Sequence, residues 1–124
     1  MSSAMRWSVD ARTPVRLLDA ADAPPGATVL AEDGAPLPQS PARVERFAAP
    51  PATPHPIGCA CCQPRNPVAI ALDRLFLART RGEAPWFDAI LAVVRTGEGE
   101  AAIRAALDSD SVAQARFRLE GRGE

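Results

Sequence analysis

The chain has 124 residues, a formal net charge of −1 and an apolar content of 47%. That bounds it to one modest domain, and the near-neutral charge gives no electrostatic ground for nucleic acid or an anionic membrane as partner. All 14 basic residues are arginine, so no lysine exists to reach the phosphates of a nucleotide in a P-loop.

Twelve of the 13 prolines lie at or before Pro67, which excludes long helices from the first half. Residues 1–11 have no apolar signal core and are expected to form a flexible N-terminus. Val15–Leu18 and Ala27–Ala31 are short strand candidates, separated by a turn at Ala21–Gly26. Val44–Phe47 is a third. An extended, proline-rich approach follows over Ala48–Pro56.

Residues 55–62 then carry all three cysteines and the single histidine of the chain: His55, Cys59, Cys61 and Cys62. Three thiolates and an imidazole are a full ligand set for tetrahedral zinc, and copper(I) is compatible with the same thiolates. A disulfide network is disfavoured by the odd count and by the strain of pairing neighbours such as Cys61 and Cys62. A reactive redox thiol, with Arg65 as the nearby cation, and inert buried cysteine are the other readings. In an extended segment Cys62 points away from Cys59 and Cys61, so a common ion requires a sharp turn, for which Gly58 and Pro64 are placed. Pro54 and Pro56 limit how His55 folds back. Glu32 or a water molecule could hold the fourth position instead.

The second half reads as alternating helix and strand. Asn66 caps a helix whose first turn begins with Pro67. Val68, Leu72, Leu75, Phe76 and Arg79 share one face; Ile70 and Leu77 are expected to broaden the buried stripe, and Gly82 ends the helix. The apolar run Ala89–Val94 suits a strand covered on both faces, as in a parallel sheet. A helix is expected over Glu98–Asp108, with Gly99, Ala102, Ile103, Ala106 and Leu107 inside and a Glu100–Arg104 pair outside. Asp110 can cap a last helix through Arg116, Phe117–Leu119 closes the ordered part, and residues 120–124 read as a tail. The expected architecture is a single small α/β domain over residues 12–119, with a mostly parallel short sheet and two to three helices.

Gly58-Cys-Ala-Cys-Cys62, the helix after it, Arg81-Gly-Glu-Ala-Pro-Trp-Phe-Asp88, the apolar strand and the stretch ending in Ala115-Arg-Phe-Arg-Leu119 together resemble the CobW-type P-loop GTPases, many of them proposed zinc metallochaperones. The resemblance covers residues 58–119 in order and extends upstream to Arg12–Leu18 and Val29–Gly34, which look like the family's first two strands. It implies a metal segment with Cys59, Cys61 and Cys62 as ligands and a partial P-loop-NTPase-like layer. Three family features have no counterpart. Only Asp19–Gly26 fills the place of the phosphate loop and its helix, Val93–Thr96 replaces the family's acidic motif after the third strand, and the base-recognition motif is absent.

The expectation is therefore a non-catalytic, cytoplasmic zinc-binding protein that holds no nucleotide and does not hydrolyse GTP. A second expectation is an interaction subunit that docks an exposed sheet edge, beside Ala89–Val94 or Phe117–Leu119, onto a full-length CobW-type GTPase. A third is enzymatic: a thiol redox protein or an open-zinc hydrolase.

Overall fold

The computed structural model describes residues 11–49 and 65–120. Five strands, β1 (Thr13–Leu17), β2 (Thr28–Glu32), β3 (Arg43–Phe47), β4 (Ile90–Val93) and β5 (Phe117–Glu120), form one sheet in the order β3-β2-β4-β1-β5. Every neighbouring pair is parallel: Val15 lies opposite Ile90, Val29 opposite Leu91 and Thr13 opposite Phe117. Three helices, α1 (Pro67–Thr80), α2 (Gly97–Ser109) and α3 (Ser111–Arg116), complete a Rossmann-like layer.

The two faces of the sheet are covered differently, and chain direction explains why. Crossovers between parallel strands are right-handed. The connections from β3 to β4 and from β4 to β5 run one way along the sheet, and those from β1 to β2 and from β2 to β3 run the other. The first pair must therefore cross one face and the second pair the opposite face. The first pair contains the three helices. The second pair contains proline-rich loop and one 3-10 turn at Ala20–Asp22.

The core divides accordingly. On the helix side Val15, Leu17, Leu30, Ile90, Ala92 and Phe117 pack against Val68, Leu72, Leu75, Ile103 and Ala106. On the loop side a smaller group, Val29, Ala31, Ala35 and Val93, is covered by Ala20 and Ala27. The two sets alternate along β2 and β4, the period-two pattern of strands buried on both faces. All four residues of β4 are buried, as the apolar run requires.

α1 starts where the sequence places it. The Asn66 side chain accepts from the Val68 N–H at 2.7 Å, with Pro67 in the first turn. Its inner face differs from the expectation. Ile70 and Leu77 are 37% and 39% exposed, and alanines 69, 71 and 78 take the flanks of the Val68–Leu72–Leu75 stripe. At about 3.6 residues per turn Ile70 and Leu77 lie on the side of the helix opposite the Val68–Leu72–Leu75 stripe, and so face outward. Two further corrections concern the sheet. β4 is its centre, between β2 and β1, so Ala89–Val94 borders no open edge. The edge expected at Phe117–Leu119 is present as the fifth strand, paired with β1 at the end of the sheet, and Glu120, expected in the tail, belongs to it.

Candidate functional site

In an all-parallel sheet every strand ends at the same side, and ligands of open α/β sheets bind there, where neighbouring connections diverge. Here β1 and β4 are neighbours whose connections leave in opposite directions. The cleft at their carboxyl ends has a volume of about 480 Å3. Leu17, Leu18, Ala92 and Val94 supply its apolar lining, and Asp19, Asp22, Glu100, Arg95 and Thr96 its polar lining.

Beside this cleft Glu32, at the end of β2, ties the strand ends together. It is 2% exposed. Its Oε1 accepts from the backbone N–H groups of Arg95 (2.6 Å) and Thr96 (2.8 Å), and its Oε2 accepts from the Thr96 hydroxyl (2.7 Å). Thr96 is also the N-cap of α2, its hydroxyl accepting from the Gly99 N–H at 3.0 Å. Burial alone pushes the Glu32 carboxyl up. The Thr96 hydroxyl, the two backbone N–H groups and the Arg95 charge outweigh it and hold the group below its ordinary range. Glycine is required at 99 because a Cβ there would overlap the Glu32 carboxylate. Gly34 has a positive φ of 86°, and a Cβ on it would lie 2.7 Å from the Arg95 Nε, which donates to the Asp33 carbonyl.

The described residues that flank the cysteine segment in sequence lie on this same side of the molecule. The segment follows β3, whose chain leaves through Ala48 and Ala49; these two line a shallow cleft with Glu32, Asp33, Arg95, Thr96 and Glu98. It precedes α1, whose cap Asn66 donates from Nδ2 to the Ala102 carbonyl in the second turn of α2 at 3.0 Å. His55, Cys59, Cys61 and Cys62 themselves lie outside the described residues. Among the described residues no three His, Cys, Asp or Glu side chains are grouped closely enough to hold a metal ion.

Arg65, three residues past Cys62, is bound on both sides. Its Nε and Nη2 donate to the two carboxylate oxygens of Asp110 at 2.7 and 2.8 Å, and its Nη1 pairs with Asp73. Those hydrogen bonds raise the guanidinium further above its ordinary range. The charge that could activate a neighbouring thiol is thus matched by two carboxylates. Asp110 also caps α3, accepting from the N–H groups of Val112 (3.1 Å) and Ala113 (3.0 Å). The Arg65 hydrogen bonds, opposed by partial burial and reinforced by those two donors, hold its carboxyl at about 2.

Sequence reasoning named Asp110 as a cap and Gly99 as an inner-face residue. It did not find the Glu32–Thr96 link or the Arg65–Asp73–Asp110 hub. Glu32 and Thr96 are 64 positions apart, and no local pattern relates them. The signal at Thr96 was a threonine directly before an acidic first turn, the usual mark of a helix start.

Comparison of the chain with family models, with curated proteins and with solved structures returns no match. The site is therefore defined by its own chemistry.

Proposed function

We propose that this is a non-catalytic zinc-binding protein, with Cys59, Cys61 and Cys62 as thiolate ligands and His55 completing a tetrahedral set. The observation that carries the reading is the confinement of every cysteine and the only histidine to eight consecutive residues. Three thiolates and an imidazole match the preference of zinc for soft sulfur and nitrogen donors. Glu32 is the weaker choice for the fourth ligand, because three hydrogen bonds already give its carboxylate a structural role.

The resemblance to CobW-type GTPases belongs to the same proposal. The three segments that look like that family's first three strands, β1, β2 and β4, are neighbours in the sheet. The reading excludes GTP hydrolysis. The chain has no lysine. Among the described residues, the cleft at the strand ends is lined by Asp19, Asp22 and Arg95, together with Glu100, which pairs with Arg104; this gives no excess of positive charge to draw in a triphosphate.

Elemental analysis of protein purified under reducing conditions tests the proposal. One zinc per chain with three protected thiols is the expected result. Zinc retained at full stoichiometry after Cys59→Ser, Cys61→Ser and Cys62→Ser are combined would refute the ligand assignment.

A further inference from the structure

The two edges of the sheet are unlike each other. β3 follows Pro41 and precedes Pro50 and Pro51 in the sequence, residues that cannot donate to a ladder. Its Glu45 is also engaged by Arg74 from α1 at 3.2 Å. β5 is Phe-Arg-Leu-Glu, with no proline or glycine, and among the described residues it pairs on one side only, with β1. Its outer side thus carries backbone donors and acceptors in strand conformation, the template on which another strand adds.

The side chains of β5 indicate which strand that is. Phe117 and Leu119 face the helix layer: Phe117 is fully buried, and Leu119 packs partly exposed at the rim of the core. Arg118 and Glu120 face the other way, where Glu120 pairs with Arg16 of β1, its register partner, and lies 4.0 Å from Arg118 of its own strand, so a second copy would exchange that in-strand contact for one across the junction. We propose that β5 pairs antiparallel with β5 of a second copy of this chain, about a two-fold axis at Leu119. That register sets Arg118 of each chain opposite Glu120 of the other, on the same face of a continuous ten-stranded sheet. The row then alternates in charge from Arg16 to Glu120 to Arg118 of the second copy. The same row is repeated by symmetry, as an isologous interface requires. Leu119 meets its own counterpart on the axis and extends the core across the junction.

The test is a charge swap. Analytical ultracentrifugation of the wild-type chain at about 50 µM should show a dimer, a concentration suited to micromolar association. Arg118→Glu and Glu120→Arg each place like charges opposite each other at two symmetric positions, and each should weaken dimerisation by about tenfold or more. Mixing the two variants restores both opposite-charge pairs, so a heterodimer should form where neither variant self-associates. Circular dichroism of each variant, matching wild type, confirms that the monomers are folded. Three results would overturn the proposal: a monomeric wild-type chain, a dimer indifferent to both substitutions, or a mixture of folded variants that stays monomeric.

Discussion

Glu32 shows how much one carboxylate can organise at the carboxyl side of a parallel sheet. It accepts the two backbone N–H groups that begin the turn into α2, and it holds the hydroxyl that caps that helix. Glu32→Ala leaves buried donors without partners and should cost about 2 kcal/mol in urea denaturation, with the midpoint lowered and the slope unchanged. Gly99 is coupled to it. In the wild-type background Gly99→Ala forces a methyl group into the carboxylate and should destabilise by about 1–3 kcal/mol. With Glu32→Ala already present the obstacle is gone, and the same substitution should become neutral or stabilising by about 0.5–1 kcal/mol, because alanine favours helix over glycine. A double-mutant cycle would show this reversal of sign. Additive costs would mean that the two residues do not meet.

At the scale of elements, the start of α1 and the junction of α2 with α3 depend on two polar residues. Asn66 both caps α1 and donates to α2, so Asn66→Ala should lower stability by about 1–2 kcal/mol, more than an exposed cap alone. The Arg65–Asp110 pair adds a pH dependence. A carboxyl held at about 2 in the folded state contributes stability that is fully present above the ordinary aspartate range and is lost as pH falls toward 2. The pair is partly exposed, so the contribution is about 1 kcal/mol. Stability measured by denaturant at stepwise pH should fall between about pH 4 and pH 2, and that part of the fall should be missing in Asp110→Asn. Arg79, at the other end of α1, stacks between Trp86 (4.3 Å) and Phe87 (4.4 Å) and donates to the Phe87 carbonyl at 2.9 Å. This contact gives Trp86 its position although the residue is 70% exposed.

For the whole molecule, the balance between a small core and the proposed zinc site matters most. Much of the interior is alanine: residues 31, 35, 69, 71, 78, 92, 102, 106 and 113 are all buried. Alanine contributes little apolar area, and a ligand that binds only the folded state adds stability by mass action. Zinc at about 100 times its Kd should raise the unfolding free energy by about 2.7 kcal/mol in the wild-type chain. It should leave the variant with all three cysteines changed to serine unmoved. Equal stabilisation of both would place zinc elsewhere than on the thiolates.

Local chemistry was readable directly. The Asn66-Pro67 start, the apolar run at Ala89–Val94, whose middle four residues form β4, the cap at Asp110 and the inner face of α2 follow from spacing and propensity within a few residues. The gathering of ligand-type residues at 55–62 is likewise a property of the sequence alone. What needed the tertiary structure was every relation across distance. Four residues at Phe117–Glu120 become a strand only because β1 offers them a partner. Ala89–Val94 is central rather than an edge because the crossovers on the two faces run in opposite directions. Glu32 meets Thr96 because β2 and β4 are neighbours in a parallel sheet, a pairing whose loop-closure cost is met by burial on both faces and is written in no short stretch of chain.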